Sequence, residues 1–253
     1  MIDVLLPAGG RIDGEFAEDV GVNVKALIEI DGLTVLERTM DALRSTGIVR
    51  RVIVVGPEEI AKHHCAELAD AVLPEGGDSG PANILKGIEW IQSDGARPDR
   101  VLVLTTDLPF LTPQAIAAFV GSCPSDADVC APLVSKSAFE KRFPGSQNEY
   151  VKLADGAWTM GCGFMVSPSA FQANREHIER VFAARKSQIG MARILGLRFI
   201  ARFLCGRLTV DDIERRCSQM LGCSGKAIRE SPPELAYDLD NVREYRYAKH
   251  ACS

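Results

Sequence analysis

Several features are missing from this chain of 253 residues, and each absence removes a class of function. No window approaches the roughly 18 to 20 uninterrupted apolar residues that span a bilayer, so no transmembrane helix is expected. The apolar opening has no basic stretch ahead of it and is interrupted by Asp3, which argues against a secretory signal peptide. Cys65, Cys123, Cys130, Cys162, Cys205, Cys217, Cys223 and Cys252 form no Cys-x-x-Cys pair and no zinc-ligand spacing. Scattered thiols of this kind suit small core residues in a reducing compartment, and a cytoplasmic protein is expected. A basic field is missing too: 29 Lys and Arg stand against 34 Asp and Glu, a net charge of -5, which speaks against a nucleic-acid partner. The first apolar run is followed by PAGGRIDG, which lacks the G-x-G-x-x-G spacing of a dinucleotide-dependent oxidoreductase. No internal repeat, low-complexity tract or linker divides the chain, so residues 1–253 are expected to form a single domain.

What is present is an alternation. Residues 2–7 are strand-like, and 34–46 carry apolar residues at helical spacing, closed by Gly47. RRVIVVG (50–56), a helix over 58–69, DAVLPEG (70–76), a helix over about 79–93 and RVLVLTTD (100–107) follow. Thr112 can cap the next helix with Pro113 in its first turn. DADVCAPLV (126–134) is a further strand, 135–160 reads as an excursion, and GCGFMVSP (161–168) as a returning strand. Residues 176–222 read as a helical insertion broken at Gly190, Gly196 and Gly206, with a capping box opening at Thr209. ELAYDLD (234–240) is a strand candidate, followed by the helix NVREYRYAKH. Near-continuous Val, Leu and Ile strands suit a parallel sheet buried on both faces. The expected fold is therefore a three-layer α/β/α sandwich with a mainly parallel, mixed sheet.

In such sheets, ligands bind beyond the carboxyl ends of the strands. The first strand ends at Pro7-Ala8-Gly9-Gly10. The two glycines either make a tight turn or leave the backbone bare so that amides can approach phosphate oxygens. Arg11 and Lys25 can add positive charge. Asp107, at the end of RVLVLTTD, is either a capping group or a hard ligand for Mg²⁺. Asp238 and Asp240 alternate and so point to one face, toward one ion or toward solvent.

In order and spacing, LLPAGG, KALIEIDGLTVLERTMDAL, LTTDLPFLT and YDLDNVREY resemble the MobA-like NTP transferases. These are nucleotidyltransferases of GT-A-like, Rossmann-like fold, and they include molybdenum cofactor guanylyltransferase and sugar-phosphate nucleotidyltransferases. The resemblance implies that Ala8, Gly9 and Gly10 bind nucleotide phosphates, that Lys25 contacts phosphate, and that Asp107 and Asp240 hold Mg²⁺ or Mn²⁺. Asp238 serves either as a third metal ligand or the fold alone. Segment 76–83 (GGDSGPAN) would approach base and ribose, with Ser79 and Asn83 as contacts or merely as helix caps. Pro7, Arg11, Gly77, Gly80 and Thr106 complete the expected nucleotide-binding set, and Lys25, Asp107 and Arg11 the catalytic one. The implied reaction transfers NMP from an NTP to a phosphate or hydroxyl acceptor and releases pyrophosphate. It rests on positioning and charge neutralisation, with no nucleophilic Ser or Cys.

Two stretches depart from the family. The loop RIDGEFAEDVGVNV lacks the usual Arg-Met-Gly element and carries Asp13, Glu15, Glu18 and Asp19, acids that oppose a triphosphate unless they point away or hold metal. It either folds over the site as a lid or meets the acceptor. From Arg180 to Val210 there are seven basic residues and no acidic ones, against 22 and 34 in the remainder. Such a basic, apolar segment can lie on a membrane surface or meet an anionic, partly apolar acceptor. The reading we favour is an amphipathic helical pair packed on the sheet, in the region where the family varies its acceptor pocket. A nucleotide-sugar-dependent glycosyltransferase and a non-catalytic nucleotide sensor are the alternatives.

Overall fold

A computed structural model of the chain describes residues 1–77, 79–93, 95–184 and 194–252. The strands are β1 (Ile2–Pro7), β2 (Glu29–Ile30), β3 (Leu33–Thr34), β4 (Val49–Gly56), β5 (Ala71–Pro74), β6 (Val101–Leu104), β7 (Val129–Ser135), β8 (Val151–Leu153), β9 (Gly156–Met160), β10 (Gly163–Val166) and β11 (Gly225–Ile228). Nine of them form one sheet in the order β5-β4-β1-β6-β10-β7-β9-β8, with β11 beside β7, while β2 and β3 make a separate hairpin. The pairs β1–β4, β1–β6, β4–β5 and β7–β11 are parallel; β10 enters antiparallel between β6 and β7.

Alternation along the strands builds three layers. Val4, Leu6, Ala8, Val52, Val54, Leu102 and Leu104 pack against Leu36, Met40 and Leu43 of the helix Val35–Ser45 and against Ile116 and Phe119 of the helix Pro113–Ser122. Leu5, Ile53, Val55, Val101 and Val103 face the other way, onto Leu85, Ile88 and Ile91 of the helix Gly80–Gln92. A strand apolar on both sides is what two covering helical layers require. Asp3 is buried in β1 and ion-paired with Arg50 and Arg51, which together outweigh the effect of burial and hold its carboxyl below the ordinary range.

Several sequence expectations need correction. The helix over 58–69 is two pieces, Glu58–Lys62 and a 3-10 turn His64–Leu68, because His63 is extended. Residues 135–160 are not only an excursion: after a helix at Lys136–Arg142 they return as β8 and β9, and β9 extends the sheet along the far half of β7. Residues 234–240 form no strand. Pro233–Ala236 is a 3-10 turn, and the following residues cross the ends of β6 and β10, held by Cys162 N–H to Leu235 C=O (2.7 Å) and Leu239 N–H to Asp107 C=O (3.1 Å). The sides of β10 are already taken by β6 and β7, so no free ladder remains for this segment to join.

The insertion is helical at Arg175–Ala184, Leu197–Leu204 and Val210–Leu221, with Gly196 and Gly206 at positive φ as breaks. The break expected at Gly190 and the basic residues Arg185, Lys186 and Arg193 lie outside the described residues. Phe199 packs on Leu153, Trp158, Leu208 and Val210, and Arg202 pairs with Asp212. Leu197 and Leu204 are nonetheless exposed, so only one side of this helix is packed. No helix among the described residues is long and apolar enough to cross a membrane.

Candidate active site

The carboxyl ends of β1, β4, β5 and β6 share one edge of the sheet. Leaving β6, the chain passes Thr105, buried Thr106 and Asp107, and Pro109 blocks an immediate helix. The segment after Ala236 lies over this edge with alternating sides: Tyr237 and Leu239 point into the core, so Asp238 and Asp240 face Asp107. Oxygens of the three carboxylates lie within 4.8 Å of one another. Asp107 Oδ1 is buried with no hydrogen-bond partner among the described residues. Burial, followed by the charges of Asp107 and Asp240, pushes the Asp238 carboxyl up to about 7.

A cation from a distant part of the chain joins them. Lys25 Nζ lies 3.5 Å from Asp107 Oδ2 and donates to Asp240 Oδ1. Burial works against its ammonium, but Asp107 and Asp240, with Asp238 behind them, outweigh it and hold the pKa above that of an ordinary lysine. Cys162 lies beside the same acids; burial and the charges of Asp238 and Asp107 keep it a thiol. It is not an activated nucleophile.

Burial among other acids disfavours the ionised form of Asp238 in the fold. Its folded pKa lies above its unfolded one, so the native state holds a proton that the unfolded chain loses first, and stability falls as pH rises from about 4 to 7. Asp238→Asn is expected to be more stable than wild type by about 2–4 kcal/mol at pH 8 without added metal, an advantage that vanishes near pH 4. Thermal melts of both proteins across this range check it.

The extended opening loop turns out to deliver Lys25. It closes on itself: Ile12 N–H donates to Asn23 C=O (3.0 Å), Lys25 N–H to Gly10 C=O (2.9 Å), and Arg11 bridges Val24. Between these contacts Gly14–Val20 is a helix, with Asp19 paired to Arg246. Arg11 is committed to Glu59 (2.7 Å). Neither Gly9 nor Gly10 has positive φ, so a left-handed turn is not why they are glycines. The place a Gly9 Cβ would take is occupied by the Glu75 carboxylate, with Asn83 Nδ2 at 3.4 Å; at Gly10 the Lys25 side chain stands 3.4 Å away. Bare backbone here permits close approach.

In segment 76–83, Asn83 is buried and its Oδ1 accepts from Gly76 N–H (2.7 Å). Ser79 Oγ caps the helix by accepting from Ala82 N–H and donates to Glu179, while Gly80 lies under the Phe182 ring. Gly77 stands in the same loop, and Pro7 ends β1. The sequence reading missed Glu244, whose carboxylate accepts from Asp240 N–H (2.6 Å) and Asn241 N–H (3.0 Å). Asn241-x-x-Glu244 carries a capping-box spacing, a signal that was available.

Two clefts meet at Asp240. One, about 760 Å³, lies between the 11–16 segment and the start of the last helix, and includes Lys25, Asp240 and Arg243. The other, about 740 Å³, lies on the β8–β9 side, between Tyr150, Trp158 and Met160 and the Tyr237–Asn241 segment. None of the described residues of the insertion lines either cleft. Among the described residues, its anticipated role in an acceptor pocket at this site therefore has no contact.

A glycine loop, a half-buried lysine and three converging acids meet at the carboxyl edge of a mixed sheet. The chain belongs to the MobA-like NTP transferase domain family, whose model matches residues 14–197. That stretch holds Lys25 and Asp107 and stops short of Asp238 and Asp240. The fold is also that of a hypothetical transferase from Thermus thermophilus (29% identity, TM-score 0.84, covering 96% of this chain and 98% of the other). More distant in sequence are a nucleotidyl transferase from Methanothermobacter (18% identity, TM-score 0.57, 99% and 97% covered) and the 2-C-methyl-D-erythritol 4-phosphate cytidylyltransferase of Thermus thermophilus (18%, 0.56, 99% and 98%). The enzyme class is nucleotidyltransferase.

Proposed function

We propose that this enzyme, acting as a single cytoplasmic domain, transfers NMP from an NTP to a small acceptor bearing a phosphate or hydroxyl. Mg²⁺ or Mn²⁺ assists, and pyrophosphate is released. The observation that carries this reading is the convergence of Asp107, Asp238 and Asp240 on Lys25, whose side chain lies against the Gly10 backbone. Three carboxylates with an unpartnered buried oxygen suit a hard divalent cation. Asp107 and Asp240, joined by Asp238, would hold it, and when bound it neutralises phosphate charge.

The chain's own residues do the rest. The backbone of Pro7, Ala8, Gly9 and Gly10 offers the surface for the triphosphate. Lys25, released from Asp240, turns its ammonium to the phosphates and stabilises the departing pyrophosphate. Arg11, at the mouth of the first cleft, adds charge once it leaves Glu59. Asn83 acts by pinning Gly76, so that Gly77, Ser79 and Gly80 present backbone on the base side, and Thr106 supports Asp107 from the core. The acceptor oxygen forms a bond to Pα as the bond from Pα to the β-bridging oxygen breaks, the electron pair leaving with pyrophosphate. A hydroxyl acceptor gives its proton to water.

Thermal melts with ATP, GTP, CTP and UTP, each with and without Mg²⁺, test this. A nucleotide at 100 times its Kd stabilises by about 2.7 kcal/mol, a shift of roughly 5–10 °C at this size. One NTP is expected to give a metal-dependent shift and to support pyrophosphate release. No shift with any NTP at millimolar concentration overturns the reading.

A further inference from the structure

The two clefts beside the acids differ in charge. The first sets Arg11, Lys25 and Arg243 against Asp13, Glu15, Asp240 and Glu244, the last two shared with the second cleft. The second includes Glu149, Asp238, Asp240 and Glu244, and no lysine or arginine is among the described residues lining it. Lys136, whose Nζ stands 5.5 Å over the Tyr150 ring, is turned toward Glu140 at 3.6 Å. The walls of the second cleft set Tyr150, Val151, Trp158 and Met160 beside polar Asn148 and Thr159, with Val151 and Met160 exposed at the rim. Tyr150 Oη is buried without a hydrogen-bond partner among the described residues, an unused polar group in that wall.

Asp240 borders both clefts. In phosphoryl transfer the attacking and leaving oxygens stand roughly in line on opposite sides of the phosphorus. With Pα at Asp107 and Asp240, one cleft receives pyrophosphate and the other presents the acceptor. Pyrophosphate is a multiply charged anion and goes to the side where Arg11, Lys25 and Arg243 offset the acids, since the other side offers no such cation among its described lining residues. The acceptor is left with the acidic, aromatic side.

Resting on the nucleotidyltransferase reading, we infer that the acceptor enters through the cleft between Tyr150, Trp158 and the Asp238–Asp240 segment. Apart from its reacting phosphate or hydroxyl, its body carries a positive charge or none. This inference reverses the sequence-based expectation of an anionic, partly apolar acceptor. A carboxylate or second phosphate on the body would face Glu149 and Glu244 without a counter-ion, whereas an ammonium gains from those acids and from aromatic faces. The reacting group escapes this restriction, because charge there is neutralised at the acids together with their cation. A phosphate monoester acceptor bonds to Pα through one of its oxygens with no proton to lose.

The test compares three small phosphate monoesters that differ in body charge: aminoethyl phosphate, glycerol 3-phosphate and 3-phosphoglycerate. Trp90→Phe leaves Trp158, on the cleft wall, as the sole tryptophan. Its fluorescence is titrated in the presence of Mg²⁺ and a non-hydrolysable analogue of whichever NTP stabilises the protein. Aminoethyl phosphate is expected to bind about tenfold or more tightly than 3-phosphoglycerate, with glycerol 3-phosphate between them. Glu149→Lys is expected to narrow that ratio while leaving the NTP-induced thermal shift unchanged. Equal or tighter binding of 3-phosphoglycerate overturns the inference, and so does the absence of any response from all three compounds. A retained NTP shift in the same samples then leaves the nucleotidyltransferase reading standing, and its loss removes that reading as well.

Discussion

With asparagine in place of Asp107, pyrophosphate release is expected to fall by about 10²–10³-fold, the usual cost of losing one preorganised electrostatic contact at a reacting phosphate or acyl centre. The substitution keeps the side-chain shape. It also keeps the backbone carbonyl that receives Leu239 N–H at 3.1 Å, so the Asp238–Asp240 segment stays in place. What is lost is one of three converging negative charges and one of the two carboxylates that hold Lys25. The metal-dependent thermal shift with NTP is expected to disappear with the activity, while the circular dichroism spectrum is unchanged. Full activity in the variant would place the reaction somewhere other than this acidic cluster.

The second large effect concerns a residue that touches no phosphate. Gly161 lies where its Cβ would stand 2.7 Å from the Leu235 carbonyl oxygen and 2.8 Å from Pro132 Cγ. That carbonyl cannot swing aside, because it accepts from Cys162 N–H at 2.7 Å. Gly161→Ala is therefore expected to displace the Leu235–Asp240 segment from the sheet edge. The cost in stability is about 1–3 kcal/mol, or roughly 2–10 °C in Tm. Because Asp238 and Asp240 ride on that segment, a displacement of about 1 Å is expected to lower turnover by about 10²-fold. Gly163→Ala serves as the control. The one close approach of its Cβ is to the end of the Leu104 side chain, at 2.7 Å, a flexible tip rather than backbone, with Leu235 Cδ2 and the Val103 carbonyl oxygen at 3.8 Å, so activity is expected to survive. Melts and pyrophosphate assays on the two variants separate displacement of the acids from general damage to the sheet.

The contrast between these two glycines shows how far the sequence could be read. Both sit in GCGFMVSP, and nothing local distinguishes them; the difference comes from Leu235, more than seventy positions away in the chain. The same limit explains the mistaken strand at 234–240. Its alternating pattern was real, with Tyr237 and Leu239 in the core and the aspartates on the opposite side, toward Asp107. A period of two, however, states which side chains share a face and says nothing about whether a partner strand is free. The capping box read at Thr209, by contrast, involves only residues three apart, and it forms.

The charge pattern of the acidic opening loop was legible and its consequence was not. Asp13, Glu15, Glu18 and Asp19 looked adverse to a triphosphate. The Gly14–Val20 helix and the Arg246 pairing account for part of that charge, and the loop closes so that Lys25 returns beside Gly10. The basic stretch toward Val210 drew attention as an acceptor element, yet its described residues line neither cleft at Asp240. Charge counted along a chain does not reveal which surface it will face.

By itself, the sequence determined the layered fold and the edge on which chemistry would fall, because hydrophobic periodicity fixes which strands are buried on both faces. It also determined that a glycine loop and Asp107 stand at that edge, since each ends a strand. Only the tertiary structure decided that Lys25 reaches Asp107 across 82 positions and Asp240 across 215. It alone decided that Arg11, Lys25 and Arg243 offset the acids of one cleft at Asp240, while no lysine or arginine among the described residues lines the other. Those outcomes depend on strand order and on how long loops close. Such contacts are made between segments whose local patterns carry no record of one another.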